Sequence, residues 1–222
     1  MKNVIVSWSG GKDSAFAVYN LINECDYQIM GLLSTTSEAS GRLPMHEVKR
    51  EFIQAQAASL GIPLYEVKLP ARAGNTTYEE KHSRQFDRFK NEGIHMIAYA
   101  DLFLEDIRSY RDKLLSKSEM RGLYPLWGKD TKDVARDFID QGFKAIITAV
   151  DTDKLPAEMA GRYFDEAFLR DLPNDVDPCG EYGEFHTFVF DGPVFNFSIN
   201  VKPEKLFETM EGRFSHVELI EE

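Results

Sequence analysis

The apolar positions of this chain fall in short runs, separated by stretches with helical spacing. Val4-Ile5-Val6-Ser7-Trp8 reads as a buried strand, and Ala15-Phe16-Ala17-Val18-Tyr19-Asn20-Leu21-Ile22 as the helix after it. Residues 27–35 and 95–100 repeat the apolar run, and Leu64-Tyr65-Glu66-Val67-Lys68-Leu69 alternates as a half-buried strand does. Between these, one helix is predicted from about His46 to Leu60, with Val48, Phe52, Ala55 and Ser59 on one face. Gly61 and Pro63 close it. Another is predicted from Thr76 or Thr77, with Glu80 placed for a capping box, to about Glu92. Strand and helix taking turns over the first half argue for an α/β fold, a doubly wound parallel sheet.

The pattern changes near Gly122. Leu123-Tyr124-Pro125-Leu126-Trp127-Gly128 is short, aromatic and broken by proline. A helix is predicted over 131–141, with Val134, Phe138 and Ile139 as its apolar face, then a buried strand over 145–150 that ends at Asp151. A short helical stretch over about 156–170 leads to an acidic, turn-rich segment at 177–187. Strands are expected at 187–190, 194–201 and 217–220. A soft boundary at 122–128 divides a larger domain, 1–124, from a smaller C-terminal α/β domain, 125–222. Neither internal repeats nor low-complexity linkers interrupt the chain.

Composition narrows the class. A chain of 222 residues with 43% hydrophobic and 28% charged content is ordinary for a globular protein with a sizeable core. No apolar run reaches membrane-spanning length and the N-terminus runs straight into a strand, so a cytoplasmic protein without a membrane partner is expected. The net charge of −11 argues against a nucleic-acid partner, which would call for a basic face. Cys25 and Cys179 lie far apart and suggest neither a disulfide framework nor a metal knuckle.

The chemistry concentrates where the first strand meets the first helix, at Ser9-Gly10-Gly11-Lys12-Asp13-Ser14. Two glycines let the backbone approach a ligand, the helix N-terminus presents free N–H groups, Lys12 adds a cation, and Ser9 and Ser14 add hydroxyls. This is a phosphate cradle, though its spacing is not that of a Walker A loop. Ser34 and Thr35 close the second strand, where a parallel sheet meets its ligand, or form an ordinary strand exit. Asp101, Glu105, Asp106, Arg108 and Arg111 follow the fourth strand, either as a substrate-facing cluster or as a solvated helix face. Glu181, Glu184 and His186 share a glycine-interrupted turn suited to proton transfer from an amine, to holding a cation, or to structure alone. His46, His82, His95 and His216 are isolated, with His46 placed to reach an adenine loop. Asp151 is a further carboxylate at a strand end.

The Ser9–Ser14 stretch resembles the SGGxDS signature of the PP-loop ATP pyrophosphatases, which cleave ATP between its α- and β-phosphates. A wider likeness spans about 185 residues. Asp101-Leu102-Phe103-Leu104-Glu105-Asp106 with Arg108, Tyr124-Pro125-Leu126-Trp127-Gly128, and Gly142–Thr148 with Val150-Asp151 take part in it. So do Asp177-Pro178-Cys179-Gly180-Glu181, Gly183–Val189 and Asp191-Gly192-Pro193. On these residues the chain resembles the diphthine–ammonia ligase family. Two positions depart from that family's usual pattern: Ala100 stands where Gly is common and Tyr182 where Asn is common.

The resemblance implies an ATP-binding domain of the Rossmann-like HUP type and a smaller C-terminal domain closing a cleft. It implies ATP and ammonium as substrates, with a carboxylate acceptor, diphthine on translation elongation factor 2, converted to its amide through an adenylate. Ser9, Gly10, Gly11, Lys12, Asp13, Ser14, Ser34, Thr35 and His46 would then bind ATP, with Mg²⁺ on the phosphates near Asp13. Lys12, Asp13, Glu181, Glu184 and His186 would serve catalysis. Asp101, Glu105, Asp106, Arg108 and Asp151 would meet the acceptor. Two other readings stay open: the same chemistry on a small-molecule carboxylate, and a nucleotide sensor without turnover. Oligomer formation is left open as well.

Overall fold

The computed structural model of the protein describes residues 1–222. Its first half builds a five-stranded parallel sheet in the order β3-β2-β1-β4-β5, from β1 (Lys2–Ser7), β2 (Tyr27–Ser37), β3 (Leu64–Leu69), β4 (Met96–Ala98) and β5 (Arg121–Leu123). Val4, Ile5 and Val6 are fully buried, as a central strand covered on both faces requires. Val4 and Val6 face α1 (Lys12–Asn23) and α2 (Arg50–Leu60). Ile5 faces α3 (Asn75–Asn91) and α4 (Glu105–Ser116) through Phe86, Phe89, Leu114 and Leu115. The doubly wound expectation holds. Strand order reverses between β1 and β4, and a crevice beyond their carboxyl ends is the place where such sheets take a ligand.

The second half carries α5 (Thr131–Asp140), β6 (Lys144–Asp151), a 3-10 turn at Ala157–Met159, α6 (Glu166–Asp171), β7 (Phe185–Asp191), β8 (Lys202–Thr209) and β9 (Phe214–Ile220). Its four strands pair antiparallel in the order β7-β6-β9-β8. One core cluster runs through both halves, from Val6, Phe16 and Ile53 to Phe138, Phe188 and Val217. The antiparallel sheet is thereby packed onto the α1–α2 side of the parallel one.

Several expected elements differ. The helix predicted from His46 starts at Arg50, because Met45 and Glu47 take positive φ and turn the chain before it. Residues 194–199 form no strand. They run over the C-terminus of α2, where Asn196 N–H donates to the Ser59 carbonyl at 3.0 Å and Phe197 N–H to Ser59 Oγ at 3.1 Å. The edge strand β8 was not anticipated. Its sequence, Lys-Pro-Glu-Lys-Leu-Phe-Glu-Thr, is largely solvent-facing, and lysine and proline are what blunt an exposed sheet edge.

Candidate functional site

The Ser9–Ser14 loop, the candidate phosphate cradle, is held by three elements at once. Trp8 Nε1 donates to Gln56 Oε1 at 3.0 Å, and the Gln56 amide nitrogen donates to the carbonyls of Gly10 (2.9 Å) and Val189 (2.6 Å). Val189 N–H in turn donates to the Gly10 carbonyl at 2.9 Å, so β7 is pinned against the loop. Gly10 has φ of +75°, which strains any other residue, and a Cβ there would displace Gln56 Oε1 and Ile53 Cδ1, each 2.6 Å away. Gly11 is the N-cap of α1 and contributes no side-chain cap. Instead Thr187 reaches in from β7, and its Oγ1 accepts the Lys12 N–H at 2.9 Å. Ser14 Oγ donates to the Gly11 carbonyl at 2.9 Å and lies 3.3 Å from Ser9 Oγ.

Lys12 is buried, and its ammonium sits on both Asp13 carboxylate oxygens at 2.7 and 2.8 Å. It also donates to the Cys179 carbonyl and lies 5.7 and 5.5 Å from the ring centroids of Phe164 and Phe185. Burial is the largest influence and lowers its pKa, but the charge and hydrogen bond of Asp13, with Cys179 and Glu181 nearby, together outweigh it and the net direction is upward, so the cation persists.

The turn that supplies the Cys179 carbonyl is organised by two carboxylates. Asp177 Oδ1 accepts the N–H groups of Cys179 (2.9 Å) and Glu181 (3.2 Å). Glu184, only 3% exposed, accepts from Asp177 N (3.1 Å) and Tyr182 N (3.0 Å), one oxygen each. Glu184 therefore points into the turn. Glu181 points out of it, toward the end of β4, where its Oε1 accepts the Leu102 N–H at 2.8 Å. Burial pushes the Glu181 carboxyl up to about 7. The Leu102 bond opposes that shift, and the charges of Asp13 and Asp101 add to it. His186 lies against His46 with ring centroids 4.5 Å apart and the rings tilted by 38°, and its buried Nε2 has no partner. Burial holds His46 down to about 4 and His186 well below its ordinary value.

The remaining expected residues separate into those at the crevice and those engaged elsewhere. Asp101 lies at the end of β4 but is paired with Arg111, Nε to Oδ2 at 2.7 Å, and that guanidinium rests on the Tyr99 ring at 4.3 Å. Arg108 lies over Tyr124 (4.8 Å) and Trp127 (4.5 Å). Glu105 and Asp106 are exposed in the first turn of α4. Ser34 is buried and donates to the Trp8 carbonyl at 2.6 Å, so it braces the cradle from behind. Thr35 meets His82 Nε2 at 3.0 Å on the α3 side. Asp151 is held by Arg213 at 3.1 Å and by the Asp153 N–H at 3.0 Å, and so secures the end of β6. Sequence reasoning passed over Gln56, Thr187 and Tyr99. Thr187 stands in the Glu-Phe-His-Thr run, but its partner lies 175 residues away and only the fold joins them.

A parallel α/β sheet with a phosphate cradle at its reversal point defines a nucleotide-binding class. The N-terminal domain of diphthamide synthase matches residues 1–122 and its C-terminal domain matches residues 130–220. The chain belongs to that family, a family of ATP-using ligases. Among curated relatives, a rat diphthine–ammonia ligase is 25% identical over 217 residues, covering 87% of this chain and 80% of its own length. The human one is 24% identical over 215 residues with the same coverage. A Schizosaccharomyces pombe diphthine–ammonia ligase is 22% identical over 235 residues, and this chain spans only 38% of that longer protein. Among solved structures, the U34-tRNA thiolase NcsA from Methanococcus maripaludis with its 4Fe-4S cluster aligns at a TM-score of 0.37. That alignment has 15% identity and covers 63% of this chain and 56% of that one. No helix here is long and apolar enough to cross a membrane.

Proposed function

We propose that the protein activates a carboxylate with ATP and converts it to the amide with ammonia, releasing AMP and pyrophosphate. The observation that carries this reading is Glu181. It comes from the C-terminal half, hangs on the Leu102 N–H at the end of β4, and faces the Lys12–Asp13 pair across the crevice. A carboxylate with a pKa of about 7 is matched to taking a proton from ammonium near neutral pH.

In the first step an acceptor carboxylate oxygen attacks the α-phosphorus and pyrophosphate leaves. Lys12 and the N-terminus of α1 stabilise the charge that builds on it. Glu181 then takes one proton of ammonium, the free ammonia attacks the acyl carbon, AMP departs with the electron pair of the broken acyl–oxygen bond, and the nitrogen's surplus proton passes to solvent to leave the neutral amide. Glu184 supports this turn and His186 backs the cradle beside His46. The residues present do not build a resident Mg²⁺ site. Both oxygens of Asp13 lie on Lys12 Nζ and no cluster of three acidic, histidine or cysteine side chains gathers there, so no step is routed through the ion.

The candidate acceptor pocket is a cavity of about 530 Å³ bordering the same turn, walled by Phe103, Tyr182, Lys132, Arg136 and Leu172. The curated relatives are named for diphthine, and the family reading makes diphthine on elongation factor 2 the first acceptor to try, ahead of a small-molecule carboxylate. The division of labour places nucleotide binding in 1–124 and the acceptor and ammonia sites in 125–222. Glu181→Gln should retain carboxylate-dependent exchange of pyrophosphate into ATP while amide formation slows about a hundredfold. Loss of exchange together with amide formation would reject the assignment.

A further inference from the structure

We propose that the cavity beside Tyr182 receives an acceptor carrying a second acidic group, and that Lys132 and Arg136 hold that group while the reacting carboxylate lies toward Glu181. The inference deepens the ligase reading and rests on it for the acceptor's role, whereas the charge and lining of the cavity stand on their own. Lys132 and Arg136 lie four apart on α5, so they share a face of the helix, and both line the cavity. Neither side chain takes part in an ion pair or a hydrogen bond of the structure. The acids of the same lining are engaged. Asp175 has Lys154 Nζ at 3.8 Å, and Asp177 Oδ1 accepts the N–H groups of Cys179 and Glu181. Like charges four apart on a helix repel one another. In a chain of net charge −11, where carboxylates abound, two cations left together without one are matched to an anion from outside.

The rest of the lining sets the shape of that anion. Phe103 and Tyr182 meet edge to face, with ring centroids 5.3 Å apart and planes at 63°. Tyr182 is 69% exposed, so its ring still has a face to offer a ligand. These two residues directly follow Leu102 and Glu181, which are joined by the Leu102 N–H on Glu181 Oε1 at 2.8 Å. The ring pair therefore adjoins the proposed base, while the two cations stand on a separate element, α5. An occupant that spans from one to the other runs past the rings and the apolar Leu172. The lining thus calls for two acids separated by a flat or apolar spacer, and a cavity of about 530 Å³ is large enough to hold such a group. The same chemistry is met by a small diacid and by a peptide with an acidic side chain beside its reacting group.

Amide NMR titration of the full chain tests this without turnover. The probes are isophthalate, benzoate, benzyltrimethylammonium, and a triglutamate peptide blocked at both ends. Isophthalate should shift the amides of Thr131–Arg136 and Val176–Tyr182 and bind about tenfold more tightly than benzoate, the range for one added bond between charged groups. The Lys132→Gln, Arg136→Gln double variant should bring the two within about threefold of each other, with the remaining amides unmoved as the check on folding. Tighter binding of the peptide than of isophthalate assigns the second acid to a polypeptide, and weaker binding assigns it to a small molecule. Three results would overturn the proposal: no shift at those amides from either acidic probe, an isophthalate advantage that survives in the double variant, or tighter binding of benzyltrimethylammonium there. Failure of the ligase reading shows in a different assay, as absence of carboxylate-dependent pyrophosphate exchange in a parent protein that still binds isophthalate.

Discussion

Glu181 and Glu184 are the same residue type three positions apart, yet they end in opposite environments. Gly180 just before them and Gly183 between them, at φ of +68° and +86°, turn the backbone, so one carboxylate is spent on two amides of the turn and the other reaches the Leu102 N–H beyond β4. The sequence made both glutamates candidates, since composition and spacing are alike. What it could not show is direction, which depends on two left-handed glycines and on an amide donor at Leu102. The raised Glu181 pKa has a kinetic consequence. Below about pH 7 the group is a neutral acid and cannot take a proton, and above it the carboxylate can. Amide formation should therefore rise with pH through about 7 and level off, and the Glu181→Gln profile should lack that rise. A parent profile flat between pH 6 and 8 would show that this group does not titrate in the reaction.

Among the elements, α2 and β7 do more for the site than their sequences suggested. The run Arg50–Leu60 reads as an amphipathic helix, and Gln56 sits at a position that periodicity would assign to an apolar residue. It is fully buried because its amide ties Trp8, Gly10 and Val189 together. Gln56→Ala leaves Trp8 Nε1 without its partner and removes one donor from each of the Gly10 and Val189 carbonyls, and should lower stability by about 3 kcal/mol, read by denaturant unfolding. It should also loosen the cradle, weakening nucleotide binding. Parent-like unfolding would mean that the loop holds its shape without α2. Long-range pairing of this kind was not legible, whereas β1, β2 and β4 were, because a buried strand writes an apolar run, and β3 was legible by its alternation. The solvent-facing β8 writes no such run, and the apolar segment at 194–199 is taken up in a turn and bends that pack on the end of α2.

At the scale of the whole molecule, the two sheets share one core and one polar interface, and that interface carries histidines kept neutral. His46 faces His186 and Lys12, and Ala149 pairs on either side with His186 and His216, setting those two rings across β6. Burial holds His46 and His216 at about 4 against an ordinary value of 6.5. An unfolded chain takes up these protons first as pH falls, so stability should decline from pH 6.5 toward 4 and be flat above that range as far as these groups matter. A His46→Asn, His216→Asn double variant should show a shallower decline in melting temperature, and a slope equal to the parent's would refute the contribution. The central claim is that both halves act on one nucleotide and that it is cut at the α-phosphate. The most direct measurement follows the nucleotide products when the protein, ATP, ammonium and diphthine-bearing elongation factor 2 are combined. The account predicts AMP and pyrophosphate, formed in step with the amide and dependent on the acceptor, and ADP with inorganic phosphate would contradict it.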